Sequence, residues 1–180
     1  MNEIIKEIGQ GLKLGKIGVI PTDTIYGIVC SALNKKSVKK LYKIRKRSLE
    51  KPMIILISSI KDLELFDVKI EKEIIKKYWP GKVSIIADYL GKNFTYLSRK
   101  EKSLAFRLPN NKLLINILKI SGPLVAPSAN TEGKKPAETI DQAIDYFGDI
   151  VDFYVDFGRL KSKPSKIITI KNKKIKIIRK

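Results

Sequence analysis

The apolar positions of this chain follow two periods, which predict helices and strands in alternation. Ile4, Ile5, Ile8 and Leu12 recur at helical spacing, and Gly15 is placed to end that helix. The same spacing predicts further helices over residues 34–47, 70–78 and 113–118, and another that begins at Thr139.

Strands are predicted where apolar residues run continuously or alternate with polar ones. Residues 17–20 and 53–58 are continuous apolar runs, the pattern of strands covered on both faces. Residues 103–109 alternate, with Ser103 and Arg107 on the face opposite the apolar side chains. A charge such as Arg107 in so apolar a strand needs an anionic partner, either an internal carboxylate or a ligand's. Further strands are predicted over residues 83–89, 124–126 and 151–157, and two more around a Lys-Asn-Lys turn in residues 166–180.

The interleaved elements predict an α/β fold, a twisted mixed sheet with flanking helices, because several crossovers are long enough for parallel pairing. The 180 residues fit a single domain over 1–180, with no internal repeat or linker. No apolar run approaches the roughly 18 residues of a membrane span, and the N-terminus lacks the apolar centre of a signal peptide. We expect a cytoplasmic protein with no membrane partner.

Histidine is absent, and Cys30 is the single cysteine. These counts exclude Ser-His and Cys-His nucleophile activation, histidine metal sites and an internal disulfide. Because Cys30 follows Ile28 and Val29, we expect a buried thiol rather than a nucleophile. Any chemistry must rest on Lys, Arg, carboxylates, hydroxyls, backbone amides or a metal that the substrate brings.

The chain carries 37 lysines and arginines against 18 aspartates and glutamates, a formal net charge of +19. Such a surplus favours polyanions such as RNA, nucleotides or other phosphate-rich ligands. A general richness in lysine and isoleucine, with most lysines solvated, explains the same count. Charge alone leaves both interpretations open.

Three polar segments beside predicted strands offer candidate chemistry. PTDTIYG (21–27) follows the strand 17–20 and is either a polar turn or a ligand site, since strand ends in α/β sheets commonly bind ligands. RKRSLEK (45–51) holds four cations, which fits a phosphate clamp or cations at a helix C-terminus. APSAN (126–130) offers donors to an anion or forms an Asn turn. GQGLKLGK (9–16) is not a phosphate loop, because its spacing differs and it precedes a strand.

Seven segments, in this order, resemble the YrdC family, whose members make threonylcarbamoyl-AMP. They are PTDTIYGI, RKRSLEKPM, WPGKVS, AFRLP, APSAN, PSKII and IIRK, and the resemblance covers residues 17–179. It implies the family fold, a twisted α/β sheet with a concave basic cavity. It also implies the short form, without the extra C-terminal domain of longer members.

The resemblance further implies a reaction. L-Threonine, bicarbonate and ATP would give threonylcarbamoyl-AMP and pyrophosphate, as the threonine carbamate attacks the α-phosphate. Mg²⁺ would arrive with ATP, so no protein metal cage is needed. Partner proteins would then transfer the threonylcarbamoyl group to an adenosine beside the anticodon of tRNA. The chain would thus be a nucleotidyltransferase of tRNA modification, with tRNA or double-stranded RNA as a further ligand.

Carried over position by position, the resemblance assigns residues to three roles. The threonine site would comprise Thr22, Thr24, Tyr26, Leu56, Arg107, Ala126 and Ser165. The ATP site would comprise Arg47, Lys51, Ser103, Ser128, Asn130, Pro136 and Arg179. No side chain would act as acid or base, and the reactants would be positioned by Arg45, Arg47, Ser128 and Asn130.

The sequence departs from the family pattern in three segments. Arg45 replaces a lysine, Lys82 replaces a proline, and Lys166 replaces a threonine, while Ser84 keeps the hydroxyl of its segment. Asp23 has no role that the sequence assigns. Two alternatives stay open: a module that binds double-stranded or ribosomal RNA through the same cavity, and a paralogue whose activity is lost or changed.

Overall fold

The computed structural model describes residues 2–171 and 174–180, which form a nine-stranded mixed sheet flanked by helices. The strands are β1 (Gly18–Pro21), β2 (Tyr26–Ser31), β3 (Ile54–Leu56), β4 (Val83–Asp88), β5 (Ser103–Arg107), β6 (Leu124–Val125), β7 (Phe153–Tyr154), β8 (Lys166–Lys171) and β9 (Lys174–Arg179). The helices are α1 (Asn2–Lys13), α2 (Lys35–Ile44), α3 (Lys72–Tyr78), α4 (Thr95–Ser98), α5 (Lys112–Ser121) and α6 (Ile140–Phe147). Two 3₁₀ segments are Ile60–Phe66 and Gly148–Ile150.

The strand order is β7-β1-β2-β6-β3-β5-β4-β8-β9. Three pairs are parallel, namely β1 with β7, β3 with β5 and β4 with β8. The remaining neighbours are antiparallel, including the C-terminal pair β8 and β9. The predicted α/β class and twisted mixed sheet are therefore confirmed, as is the terminal hairpin. Its predicted Lys-Asn-Lys turn includes residues 172–173, which lie outside the described residues.

The sheet separates two hydrophobic cores. The larger core packs under α2, α3 and α6 and includes Phe106 and Phe147. The smaller core lies under α1 and α5, which pack on each other, and includes Leu56 and Leu114. Cys30 is fully buried in the larger core, as predicted, and burial raises the pKa of its thiol. A buried thiol with a raised pKa is a poor nucleophile.

The polar segment 21–27 connects two strands of a hairpin instead of ending a single strand. The register of β1 and β2 places Pro21 opposite Tyr26, which leaves residues 22–25 as the turn. The sequence analysis did not predict β2. All six of its residues are buried, so the alternation of period two that identifies a half-exposed strand is missing.

Helix α2 ends at Ile44, earlier than the predicted range 34–47. Lys46 adopts a left-handed φ of 49°, and the N–H groups of Lys46 and Arg47 each bond to a carbonyl of the last helical turn at 3.0 Å. This is the Schellman arrangement that closes many helices. The chain therefore turns sharply at Arg45–Arg47 instead of continuing as a helix.

Several predicted strands are shorter in the structure. The alternation over residues 151–157 predicted seven strand residues, but β7 holds only Phe153 and Tyr154. On either side, the N–H groups of Asp152 and Val155 donate to carbonyls of the β1 segment at 2.7 and 2.8 Å. The segment thus pairs with β1 over two residues, with one further hydrogen bond on each side. No helix among the described residues is long and apolar enough to cross a membrane.

Candidate functional site

A cavity collects most of the residues that the sequence analysis singled out. It lies where the β1–β2 turn, the segment after α2 and the loop after β6 meet β3, β5 and the C-terminal hairpin. Among the described residues, its lining includes four arginines and no aspartate or glutamate. The full lining is Thr22, Thr24, Ile25, Tyr26, Gly27, Arg45, Arg47, Pro52, Met53, Ile54, Arg107, Ala126, Pro127, Ser128, Pro164, Ser165, Ile167 and Arg179.

The β1–β2 turn forms one wall through its hydroxyl groups. Thr22 Oγ1 donates to the carbonyl of Ile25 at 2.7 Å and lies 3.0 Å from Thr24 Oγ1. A threonine hydroxyl that bonds to the backbone in this way stabilises a turn. The Tyr26 hydroxyl donates to the carbonyl of Gly158 at 2.7 Å, and burial raises the pKa of this phenol. The wall is therefore pre-formed by bonds within the protein.

Arg45 ties the end of α2 to the loop after β6. Its Nε donates to the backbone oxygen of Asn130 at 2.9 Å, and its NH2 donates to Asn130 Oδ1 at 3.0 Å. The same Oδ1 accepts from the Ser128 hydroxyl at 2.6 Å, and Asn130 Nδ2 donates to the carbonyls of Thr131 and Lys134 at 2.8 Å. Burial and a neighbouring arginine lower the pKa of Arg45 to about 10, so it stays charged at neutral pH.

The phosphate-clamp candidates of the segment after α2 are engaged by acceptors within the protein. Arg47 donates from Nε to the carbonyl of Lys51 at 3.1 Å and from NH2 to that of Pro52 at 3.0 Å. Lys51 Nζ lies 2.7 Å from Glu132 Oε1, and the Ser48 N–H donates to Glu132 Oε2 at 2.7 Å. These bonds to Lys51 and Ser48 hold the pKa of Glu132 below its usual value of 4.5.

Arg107, which lines the cavity, forms a buried ion pair with Asp23. Arg107 NH2 lies 3.0 Å from Asp23 Oδ1, and the two side chains are 4% and 3% exposed. Burial raises the pKa of Asp23, although the charge of Arg107 opposes that shift, and burial lowers the pKa of Arg107. Of the two partners that the sequence analysis allowed for Arg107, the structure provides the internal carboxylate.

A second set of hydroxyl and guanidinium groups surrounds Ser165. The Oγ atoms of Ser165 and Ser84 are 2.9 Å apart. Arg179 donates from Nε and NH2 to the Ser165 carbonyl at 2.9 and 2.8 Å, and from NH2 to Ser165 Oγ at 3.2 Å. Burial lowers the pKa of Arg179. Ser84 was not assigned to the site, although the hydroxyl kept in WPGKVS was a usable signal.

The structure brings ten of the assigned residues to the cavity and leaves five outside its lining. Leu56 is fully buried in the smaller core, and Asn130 supports the loop from behind the lining. Pro136 lines a separate surface groove with Tyr146 and Arg159. The five residues outside the lining are Lys51, Leu56, Ser103, Asn130 and Pro136, and the roles assigned to all fifteen residues stay predictions.

The sequence analysis missed several apolar residues of the lining. Met53, Ile54 and Ile167 line the cavity, yet each belongs to a strand segment whose pattern also predicts core. The described residues contain no group of three or more His, Cys, Asp or Glu side chains that could hold a metal ion.

Comparison with known proteins identifies relatives across nearly the whole chain. A family model named Sua5_yciO_yrdC and described as "Telomere recombination" matches residues 10–180. A Methanocaldococcus jannaschii protein provisionally named threonylcarbamoyl-AMP synthase is 34% identical over 98% of this chain and 85% of its own length. The threonylcarbamoyl-AMP synthase of Pyrococcus abyssi is 29% identical over 83% of this chain and 45% of its own length.

Solved structures share the fold. The crystal structure of P. abyssi Sua5 complexed with L-threonine matches with a TM-score of 0.91 and 24% identity, over 99% of this chain and 54% of that one. Escherichia coli YciO matches with a TM-score of 0.88 and 19% identity, over 100% of this chain and 90% of that one. The chain spans about half the length of the P. abyssi relatives it matches. On the family match and the M. jannaschii relative together, the chain belongs to the Sua5/YciO/YrdC family.

Proposed function

We propose that this chain is a threonylcarbamoyl-AMP synthase, a nucleotidyltransferase that converts L-threonine, bicarbonate and ATP to threonylcarbamoyl-AMP and pyrophosphate. The observation that carries the proposal is a cavity lined by four arginines and, beside them, the hydroxyls of Thr22, Thr24, Ser128 and Ser165. The names of the relatives support threonylcarbamoyl-AMP as the product, and the L-threonine complex of P. abyssi Sua5 supports the amino-acid substrate.

The substrates suit such a lining because both carry anionic groups. Threonine carries a carboxylate and ATP a triphosphate, and guanidinium groups bind either with paired hydrogen bonds. The four arginines come from three places in the fold: Arg45 and Arg47 after α2, Arg107 at the end of β5 and Arg179 in β9. We assign the carboxylate to the side of Arg107 and Ser165, and the phosphates to the side of Arg45 and Arg47.

The proposed reaction requires that the reactants be positioned, and it does not require a side chain that acts as an acid or a base. The threonine amine combines with CO₂ from bicarbonate, which forms a carbamate and releases water. A carbamate oxygen then bonds to the α-phosphorus as the bond to the β-phosphate oxygen breaks, and pyrophosphate leaves with that electron pair. In-line displacement of this kind depends chiefly on alignment and on cations near the phosphoryl oxygens. A site without histidine can therefore serve it.

Magnesium would enter as part of the nucleotide substrate, held by phosphate oxygens and water. The product would pass to partner proteins that transfer the threonylcarbamoyl group to an adenosine beside the anticodon of tRNA. In this proposal the described fold acts as a single cytoplasmic domain.

The test is a product assay with the purified chain, MgATP, L-threonine and bicarbonate. We expect pyrophosphate and an AMP-linked product only when all three substrates are present. Omitting threonine or bicarbonate in turn gives matched controls, and L-serine in place of threonine tests selectivity. If the complete mixture released no more pyrophosphate than the mixture without threonine, the proposed activity would be wrong.

The RNA-binding alternative is tested in the same preparation. Affinity for a double-stranded RNA that falls steeply with salt, is indifferent to threonine and occurs without pyrophosphate release would favour a binding module. Pyrophosphate release that depends on threonine would favour the synthase, whatever the RNA affinity.

A further inference from the structure

The Asp23–Arg107 pair differs from the other ion pairs among the described residues. The remaining three, Lys51–Glu132, Lys100–Glu50 and Arg159–Glu138, lie at the surface, with side chains between 25% and 81% exposed. Asp23 and Arg107 are 3% and 4% exposed. Surface pairs contribute little, whereas a buried charge that loses its partner is strongly unfavourable. Loss of Asp23 would therefore make the charge of Arg107 strongly unfavourable, whereas loss of a partner would have little effect on a cation of a surface pair.

Asp23 cannot touch a ligand in the cavity directly. Both of its carboxylate oxygens are sealed from solvent, and it is missing from the cavity lining although Thr22 and Thr24 on either side belong to it. Arg107 does line the cavity. Any influence of Asp23 on a bound molecule must act through the guanidinium of Arg107.

The guanidinium of Arg107 keeps unused donors. It has five N–H groups, and within the described residues its Nε is buried without an aligned acceptor. Arg107 NH2 lies 3.0 Å from Asp23 Oδ1, but the N–H groups of Arg107 are not aligned for a hydrogen bond to either carboxylate oxygen of Asp23. An acceptor from a ligand in the cavity would add to what Asp23 provides, as expected for a charged group that binds a carboxylate.

Neighbouring cations explain why Arg107 needs an anchor. Arg179 lines the same cavity. Burial is the largest cause that lowers the pKa of Arg107, the charge of Asp23 raises it, and the charge of Arg179 lowers it further. Lys82 is near enough to Asp23 to act on the pKa of that carboxyl. Without the negative charge of Asp23, the buried guanidinium of Arg107 would keep the like charge of Arg179 nearby and would be repelled by it.

We infer that Asp23 is a positioning residue that holds the guanidinium of Arg107 for the carboxylate of an amino-acid substrate. The inference rests on the proposed function for the identity of that substrate, L-threonine. It adds a role for the one acidic residue of PTDTIYG, which does not line the cavity.

The experiment compares Asp23→Asn with Asp23→Glu. For Asp23→Asn we expect the KM for threonine and the Kd of L-threonine by calorimetry to rise at least tenfold, with the KM for ATP changed less than threefold. Asp23→Glu keeps the charge and should restore threonine binding to within threefold of wild type. Glu138→Gln removes the acid of a surface pair outside the cavity and is the matched control, with no change expected.

Unequal effects on the two substrates separate positioning from general damage. A purely structural role would raise both KM values or lower the amount of folded protein, measured by thermal unfolding. If Asp23→Asn does not fold, Asp23→Glu still decides: tenfold weaker threonine binding in folded Asp23→Glu would overturn the inference. In an Arg107→Met background, Asp23→Asn should have no further effect on threonine binding, and a further tenfold loss there would also overturn it.

Failure of this inference can be told from failure of the proposed function. Suppose that the wild-type protein releases pyrophosphate and Asp23→Asn binds threonine as well as the wild type does. That result would contradict the inference about Asp23 and support the proposed function. Suppose instead that the wild-type protein binds threonine but makes no product, and Asp23→Asn binds threonine tenfold more weakly. That result would contradict the proposed function and support the inference about Asp23. No threonine binding by the wild type would overturn both.

Discussion

Arg45 joins the C-terminal end of α2 to Asn130 through two hydrogen bonds, one to the backbone oxygen at 2.9 Å and one to Oδ1 at 3.0 Å. Asn130 in turn accepts from Ser128 and closes its own loop with both amide hydrogens. The arginine side chain is almost fully buried, at 2% exposure. Arg45, the first cation of RKRSLEK, therefore holds the loop that contains Ser128, a residue of the cavity lining.

We predict that Arg45→Ala lowers the free energy of unfolding by roughly 1–3 kcal/mol, because the buried oxygens of Asn130 lose their charged donors. Urea unfolding followed by the fluorescence of Trp79, the single tryptophan, measures this change. Arg45→Lys should recover only part of the loss, since an ammonium cannot span both oxygens as the guanidinium does. A Lys variant as stable as wild type would contradict the two-bond account.

Arg47→Ala should lower kcat/KM at least tenfold in the pyrophosphate assay. A charge-assisted contact of this kind is worth about 1.5–3 kcal/mol, and tenfold corresponds to about 1.4 kcal/mol. Arg47 also bonds to the carbonyls of Lys51 and Pro52, so its loss frees the loop that leads into β3. Arg47→Lys keeps the positive charge but loses the paired hydrogen bonds to the two carbonyls. It therefore separates the effect of the charge from the effect of the loop contacts. Near wild-type kinetics for Arg47→Ala would refute the phosphate-clamp assignment.

Ser84→Ala should raise the KM for threonine several-fold. Ser84 is fully buried, and its hydroxyl lies 2.9 Å from that of Ser165, which lines the cavity. Removing it leaves the Ser165 hydroxyl with Arg179 as its remaining partner, and we expect about 0.5–1.5 kcal/mol less stability. Ser84→Thr, which keeps the hydroxyl, is the control. An unchanged KM in a folded Ser84→Ala protein would rule out this orienting role.

The Lys51–Glu132 contact should show a defined pH dependence. Because hydrogen bonds from Lys51 and Ser48 hold the pKa of Glu132 below 4.5, its contribution to stability is present above pH 4.5. That contribution is lost as the pH falls through the lower pKa of the folded protein. The difference in unfolding free energy between wild type and Glu132→Gln should be constant from pH 7 to 5 and shrink below pH 4.5. The contact is largely exposed, so the difference should also fall with salt.

A difference that instead grew as the pH fell would show that the carboxylate of Glu132 opposes the fold. In the same variant, stronger binding of ATP would indicate that Glu132 competes with phosphate for Lys51. Unchanged ATP binding would indicate that the contact serves only to join the two loops.

The regular elements were largely predictable because their signals are local. Helical spacing identified α1, α5 and α6, and Asn34 and Thr139 accept the capping hydrogen bonds expected of them. The alternation in β5 placed Arg107 opposite the apolar side chains. The strand β2 was missed because a strand buried on both faces lacks the alternating pattern, and α2 was predicted too long because no glycine marks its left-handed end at Lys46.

The sequence by itself determined which chemistry is available: no histidine, one buried thiol, and polar segments rich in hydroxyls and arginine beside strands. It also determined the family, because seven segments recur in order. Only the tertiary structure decided which polar side chains contact each other. Arg107 lies opposite Asp23, Arg45 opposite Asn130 and Lys51 opposite Glu132, at separations of about 80 residues along the chain. Such pairings follow from how the strands and loops pack in space, and no local period or propensity encodes them.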